Sequence, residues 1–182
     1  GTVSLPVLSK AFKTKNLKKI SNIQNKSFEL SLLLSVPASF GLILASEEIV
    51  NALFGYGSFS KDDVALTAKA LKYFGFGVPA FALVKILSNF YFARDNTKTP
   101  FYISMFIVIL NILISVSFFS KIGFIIIPIA TSISTWIGVF IYLYLLNLKK
   151  ALLLKNHLMI NFIKILVSTI LMSLVLLLAL DS

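Results

Sequence analysis

The sequence predicts an all-α protein, a polytopic bundle of transmembrane helices, and its composition and patterning both support this. Of 182 residues, 58% are hydrophobic and only 13% are charged, with a mean hydropathy of +0.93. In soluble domains roughly a quarter of the residues are charged. A soluble fold of this size could not bury so much apolar surface. The apolar residues form long blocks without the alternation of barrel strands, so helices are the expected spanning elements.

Five apolar blocks have the length that a membrane-spanning helix needs, about 20 residues. We expect these spans at residues 28–46, 71–93, 100–119, 122–148 and 158–180, which makes residues 28–180 a five-helix unit. The third and fourth blocks contain no charged residue. Residues 1–8 look like the end of a further helix that began upstream. Because the chain starts with Gly1 rather than Met, we expect a fragment of a longer protein or one part of a split protein.

The distribution of basic residues predicts the orientation of the helices. Residues 9–27, 94–99 and 149–157 contain six, two and three Lys or Arg, whereas residues 47–70 and 120–121 contain two and one. The positive-inside rule places the first set in the cytoplasm, so residues 9–27 are predicted as a basic cytoplasmic loop. These lysines could also bind anionic headgroups of membrane lipids. Topology explains the net charge of +10, and we expect no nucleic-acid partner.

Patterns typical of enzymes and metal sites are not found in the sequence. It contains no Cys and a single His, His157, which excludes thiol chemistry and a histidine cluster. We find no Gly-rich phosphate loop and no Ser–His–Asp order. We therefore expect no enzymatic activity, no metal site built from His, Cys or clustered carboxylates, and no organic cofactor.

Lys85 is the charged residue most deeply placed in a predicted span. A charge at the bilayer centre costs about 2.5–3.5 kcal/mol on insertion scales. Lys85 is therefore expected to face a hydrated cavity or a buried partner, with Asn89 one turn further on the same face. The alternative is that Lys85 snorkels toward the cytoplasmic end, where Arg94 lies.

Prolines interrupt three of the predicted spans and suggest hinges. Pro37, Pro79 and Pro128 each remove an intrahelical hydrogen bond and kink or break a helix. Gly75 and Gly77 precede Pro79 and make that stretch especially bendable. Breaks of this kind fit a protein that rocks between two states, although membrane helices also tolerate them for packing alone.

Polar residues in the third and fourth spans form a candidate cation site. Asn111 and Ser115 are one turn apart in the third span. Thr131 lies in the fourth span, close to a carbonyl near Ile127 and to the carbonyls one turn away that Pro128 could leave unpaired. These oxygens could jointly bind a monovalent cation. Interhelical hydrogen bonding is the other interpretation.

Several segments in register carry a family resemblance. Residues 83–100, LVKILSNFYFARDNTKTP, resemble the signature of the MurJ (MviN) lipid II flippases, in which a span ends in a Lys, an aromatic pair and an Arg, and Thr-Pro opens the next. Four further segments fit in order, namely residues 1–10, 36–63, 65–81 and 127–134. The family belongs to the multidrug/oligosaccharidyl-lipid/polysaccharide exporter group.

The resemblance implies a 14-helix, two-lobed transporter that works by alternating access. The chain would comprise the end of helix eight to helix thirteen, without the N-terminal lobe. The implied substrate is an undecaprenyl-linked peptidoglycan precursor, flipped from the inner to the outer leaflet of the bacterial cytoplasmic membrane. Lys85 and Arg94 match basic positions of the signature. A flippase for another polyprenyl-linked saccharide and a non-transporting membrane scaffold are the alternatives.

The resemblance also bears on sodium. Some members bind Na⁺ through an Asn and an Asp one turn apart in helix eleven and a Thr in helix twelve. Asn111 and Thr131 match that pattern, but Ser115 stands at the Asp position. We therefore expect a weak sodium site or none.

Overall fold

The computed structural model describes residues 4–57 and 59–180, and the side chains of these apart from residues 4, 5 and 156. All regular elements within those ranges are helical. The helices are α1 (Ser4–Lys13), α2 (Leu17–Leu44), α3 (Ser46–Phe54), α4 (Lys61–Phe92), α5 (Lys98–Ile122), α6 (Ile126–Leu148) and α7 (Asn156–Leu180), with a 3₁₀ turn at Gly123–Ile125.

Four helical stretches in the described part of the chain are long and apolar enough to cross a membrane. They are Leu17–Leu44, Lys61–Phe92, Lys98–Leu148 and His157–Leu180. The third has 51 residues, and a straight helix of that length would measure about 77 Å against a core of about 30 Å. It contains α5 and α6, which run antiparallel, since Tyr142 Oη donates to the Pro100 carbonyl and Asn111 Nδ2 to Thr131 Oγ1. The all-α, multi-pass prediction is confirmed.

Helix α4 occupies the centre of the bundle. It packs against α2 on one side and α6 on the other, while α5 packs on α6 and α7 packs on α2. The core beside α4 is aromatic: Phe90 meets Phe28 edge-on with ring centres 5.7 Å apart, and Tyr91 lies 5.8 Å from Tyr142. Helices in lipid associate through such packing and through hydrogen bonds between helices.

The predicted cytoplasmic loop at residues 9–27 is largely helical, which corrects the sequence analysis. Only residues 14–16 separate α1 from α2. Asn16 caps α2 by accepting a hydrogen bond from the Lys19 amide at 3.0 Å, as N-cap residues do. Lysines have good helix propensity, so a run of them does not end a helix. Residues 1–3 of the predicted upstream helix lie outside the described residues, and α1 begins at Ser4.

Helix α4 begins ten residues before the predicted second span. Ser60 and Asp63 form a reciprocal capping box, in which the Asp63 amide donates to Ser60 Oγ (3.2 Å) and the Ser60 amide donates to the Asp63 carboxylate (3.0 Å). The capping box satisfies two free amides and starts the helix at Lys61. The predicted loop at residues 47–70 therefore contains most of α3 and the first ten residues of α4.

The turn between α5 and α6 lies at Gly123 rather than at residues 120–121. Gly123 has φ +72° and ψ −155°, a conformation that glycine adopts without strain. Helix α5 continues to Ile122, and α6 starts at Ile126, four residues after the predicted start of the fourth span. Helix α7 starts at Asn156, two residues before the predicted fifth span.

The three basic connections meet at one end of the bundle. Arg94 Nη2 donates to the Ala151 carbonyl at 2.9 Å, and the Arg94 guanidinium carbon lies 4.4 Å from the ring centre of Phe12 in α1. Ser21 Oγ in α2 donates to the Leu153 carbonyl at 2.7 Å. This arrangement agrees with the charge pattern, and its cytoplasmic location stays a prediction. We name it the basic end, which comprises residues 9–26, 94–98 and 149–155.

Candidate functional site

Lys85 lies on an exposed stripe of α4. The stripe repeats at helical spacing and contains Phe74, Phe81, Lys85 and Phe92, all of them exposed. Lys85 forms no ion pair with any residue that the structure describes, where the only pair involves His157 and Glu29. Lys85 precedes the last residue of α4 by seven residues, or about 10 Å along the helix. A hydrated surrounding for Lys85 stays a prediction.

Asn89 and Arg94 differ in their relation to Lys85. Asn89 follows Lys85 by one turn of α4, which places both residues on one face of the helix. Asn89 is half-buried, whereas Lys85 is exposed. Arg94 instead lies beyond the helix and bonds to Ala151 and stacks on Phe12. Burial lowers the pKa of the Arg94 guanidinium, which nevertheless stays protonated as arginines in proteins do. Its contacts support a role in fixing the basic end rather than in a cavity with Lys85.

Two adjacent amides of α2 hold the connection between α6 and α7. Gln24 Nε2 donates to the Ala151 carbonyl (3.0 Å), and Gln24 Oε1 accepts from the Leu153 amide (3.0 Å). Asn25 Nδ2 donates to the Leu153 carbonyl (2.9 Å), and Asn25 Oδ1 accepts from the Lys155 amide (2.9 Å). Each amide thus uses its donor and its acceptor on the same non-helical backbone, which orders the connection. We call residues 24 and 25 the amide clamp.

Sequence reasoning missed the amide clamp. The available signal was the position of Gln24 between Ile20 and Phe28, at four-residue spacing on one face of α2. All three are buried, with Gln24 at 0% exposure. A buried amide must find hydrogen-bond partners, but the sequence does not show that these lie more than a hundred residues further along the chain.

All four residues of the candidate cation site lie together. Asn111 Nδ2 donates to Thr131 Oγ1 (2.8 Å), Thr131 Oγ1 donates to the Ile127 carbonyl (2.8 Å), and Ser115 Oγ donates to Asn111 Oδ1 (3.4 Å). They form a hydrogen-bonded chain between α5 and α6. The side chains of Asn111, Ser115 and Thr131 bond within this chain, and none of the four groups is anionic. The residues as arranged do not fit a sodium site.

The described residues also contain no group of three or more His, Cys, Asp or Glu that could hold a metal ion.

The predicted hinge residues fall into two groups. Helices α2 and α4 continue through Pro37 and Pro79, which are internal to them. Pro128 is the third residue of α6, in the first turn, where a missing N–H costs nothing because that amide has no helical partner. Pro128 therefore lies at the start of α6 and does not interrupt it, which corrects the prediction that it kinks or breaks the fourth span.

The stretch before Pro79 is braced by both neighbouring helices. Proline cannot donate to the carbonyl four residues earlier, and that carbonyl, of Gly75, accepts from Ser39 Oγ of α2 at 2.7 Å. From α6, Ser132 Oγ donates to the Tyr73 carbonyl (2.8 Å) and Trp136 Nε1 donates to the Phe76 carbonyl (3.0 Å).

The glycines of this stretch permit the close approach of the helices. A Cβ at Gly75 would lie 2.9 Å from Ile43 of α2, and a Cβ at Gly77 would lie 2.7 Å from Ser132 Oγ of α6. Small residues at helix contacts have this role in membranes. Gly75, Gly77 and Pro79 thus mark a bendable and cross-braced section of α4.

These features define a multi-pass membrane protein. Its central helix contains a bendable section that is held by hydrogen bonds from both neighbouring helices. The chain belongs to the MurJ family, since the family model "Lipid II flippase MurJ" matches residues 1–182. It is 38% identical over 136 residues to "Probable lipid II flippase MurJ" of Rickettsia prowazekii, covering 75% of this chain and 27% of that protein. It is 33% identical over 160 residues to "Lipid II flippase MurJ" of Thermosipho africanus, covering 88% and 33%.

A solved structure gives the same result. The chain resembles "Lipid II flippase MurJ, inward closed conformation" with a TM-score of 0.80 and 32% identity, over 97% of this chain and 36% of that one. The predicted family is therefore confirmed. The chain spans about a quarter to a third of the length of the relatives that it matches.

Proposed function

We propose that this chain is part of the C-terminal lobe of a transporter that flips lipid II, the undecaprenyl-linked peptidoglycan precursor, across the bacterial cytoplasmic membrane. The likeness to lipid II flippases over nearly the whole chain, in sequence and in structure, carries the proposal. Since the chain spans only part of those relatives, the activity belongs to the full-length protein with its N-terminal lobe. The protein acts as a transporter and not as an enzyme.

The braced section of α4 supports alternating access. A helix with Gly75, Gly77 and Pro79 within five residues bends at lower cost than a regular one. Side-chain donors from α2 and α6 satisfy its carbonyls, and such donors can release or exchange partners as the helix bends. Helix α4 is thus suited to change its curvature between inward-open and outward-open states.

Lys85 supplies the charge in the proposed transport path. Its ammonium has no acidic partner among the residues described here, and the pyrophosphate of lipid II is an anion that such a group attracts. The aromatic residues beside it, Phe81 and Phe92, give the same stripe an apolar surface for the polyprenyl chain. Asn89 adds a polar group on the same face.

Sodium does not drive transport through the chain of Asn111, Ser115, Ile127 and Thr131. Two observations support this proposal: the groups bond to one another, and none of them is a carboxylate. A monovalent cation bound by neutral oxygens alone recovers less of its lost hydration energy than one that also has an anionic ligand.

Rescue of a flippase-depleted strain tests the proposal. Expression of the full-length protein is expected to restore growth and cell shape when the resident lipid II flippase is depleted. A protein that reaches the membrane in normal amount and fails to restore growth contradicts lipid II as the substrate. Rescue of a strain lacking only another polyprenyl-saccharide flippase would favour that alternative.

A further inference from the structure

A mixed polar and apolar cleft lies between α2 and α7 next to the basic end. Its volume is about 290 Å³. The residues that matter here line it from both helices: Lys26, Glu29, Leu30 and Leu33 from α2, and Asn161 and Lys164 from α7. Both helices start at the basic end, because Lys155, just before α7, bonds to Asn22 and Asn25 near the start of α2.

The acidic group of the cleft is already engaged. Glu29 Oε1 accepts a hydrogen bond from Asn161 Nδ2 at 2.6 Å and lies 3.8 Å from His157 Nδ1. Asn161 Nδ2 also lies 3.0 Å from that histidine nitrogen. The carboxylate is therefore held on the α7 side by two partners and does not pair with a lysine.

The two lysines of the cleft are free in the part of the chain that the structure describes. No described residue forms an ion pair with Lys26 or Lys164, since Glu29 pairs with His157 alone. Both side chains are exposed. Side chains tilt toward the N-terminus of their helix, which for α2 and α7 is the basic end, so both ammonium groups are directed toward the same membrane interface.

We propose that this cleft binds the phosphate of an anionic phospholipid. Lys26 and Lys164 supply two charges to the phosphate, and Lys155 adds a third basic group nearby. Leu30 and Leu33, which are 51% and 50% exposed, supply an apolar wall along which an acyl chain lies. A free phosphate would satisfy the lysines and leave that wall uncovered. A phospholipid matches both parts, and the interfacial position of basic residues is where headgroups lie.

Lipid binding to the purified full-length protein tests the site. The probe is phosphatidylglycerol, added to delipidated protein in detergent and followed by native mass spectrometry. Replacing both lysines, K26Q with K164Q, is expected to weaken phosphatidylglycerol binding roughly thirtyfold, at the usual contribution of a basic residue to an anionic headgroup. K26R with K164R is expected to keep the affinity, because the charge remains. Glu29→Gln is expected to strengthen it, because one repelling charge is lost.

Matched controls separate this site from general charge. K61Q with K121Q removes two exposed lysines at the opposite end of the bundle and is expected to leave the affinity unchanged. Thermal stability without lipid reports the fold of each variant. Unchanged phosphatidylglycerol binding in K26Q with K164Q overturns the proposal, and so does displacement of the lipid by millimolar inorganic phosphate. Since transport is not measured, this outcome is independent of the proposed flippase activity.

Discussion

Ser39 of α2 donates a hydrogen bond of 2.7 Å to the carbonyl of Gly75 in α4, the carbonyl that Pro79 leaves without its helical donor. In lipid an unpaired carbonyl costs several kcal/mol and finds no water to bond. One hydroxyl from a neighbouring helix therefore makes the proline tolerable at the centre of the bundle. The same bond ties the curvature of α4 to the position of α2.

Removal of this hydroxyl is expected to destabilise the protein. Ser39→Ala should lower the free energy of unfolding by about 0.5–2 kcal/mol, the range for hydrogen bonds between membrane helices. The matched control is Ser35→Ala, one turn earlier on α2. Ser35 is also buried, but its hydroxyl has no partner among the described residues, so its loss should be neutral or stabilising. Thermal denaturation of the full-length protein in detergent measures both, and equal losses would contradict this role of Ser39.

Loss of the amide clamp is expected to free the α6–α7 connection. Gln24→Leu removes the bonds to Ala151 and Leu153 at a similar side-chain volume. The Leu153 amide then loses its partner, whereas the Ala151 carbonyl keeps its bond from Arg94. Cleavage by trypsin at Lys150 should become roughly tenfold faster, because local opening costs less. Asn22→Leu serves as the control, since the side chain of exposed Asn22 bonds to the Lys155 side chain and, among the described residues, to no backbone group of the connection. Equal cleavage rates in the Gln24 variant and the unmodified protein would contradict the clamp.

A carboxylate at position 115 is expected to create a sodium response. Ser115→Asp adds the missing negative charge beside Asn111 and Thr131, and a monovalent cation then offsets it. Sodium should raise the thermal stability of this variant more than potassium does, and should have no such effect on the unmodified protein. Sodium-specific stabilisation of the unmodified protein, lost in Asn111→Ala, would show that a carboxylate is supplied from elsewhere in the full-length protein.

Cysteine labelling in intact cells tests the predicted orientation of the bundle in the membrane. These 182 residues contain no Cys, so a single substitution among them reports its own position once any other cysteines of the full-length protein have been replaced. Lys15→Cys and Lys150→Cys at the basic end should be protected from an impermeant thiol reagent, whereas Lys61→Cys at the start of α4 should react. Labelling at position 15 with protection at position 61 would invert the topology.

Patterns within a single helix were predictable, and contacts between distant segments were not. Asn111 and Thr131 were predictable as neighbours because polar side chains in two consecutive apolar spans form hydrogen bonds with each other rather than face lipid. The start of α2 at Leu17 was missed because a lysine-rich stretch suggested a loop, although Asn16 is a local N-cap signal. The amide clamp and the contacts of Arg94 were not predictable, since their partners are backbone groups of a connection with no pattern of its own.

The proposed transport mechanism requires the charge of Lys85. Exposure of Lys85 on a stripe of phenylalanines agrees with a cavity position and also with a position at the membrane interface. Replacement of Lys85 by an apolar residue distinguishes these two positions. A snorkelling lysine can be replaced by an apolar residue at little cost, whereas a lysine that attracts an anionic substrate cannot.

Translocation of lipid II by Lys85 variants is the most direct measurement. In a flippase-depleted strain, the full-length protein should expose lipid II to an externally added enzyme that cleaves its pyrophosphate link. Lys85→Met should abolish this exposure at normal membrane abundance, and Lys85→Arg should keep part of it, since the charge survives in a bulkier group. Lys72→Met, which removes another exposed lysine of α4, should keep full activity. Full translocation by Lys85→Met would contradict the account.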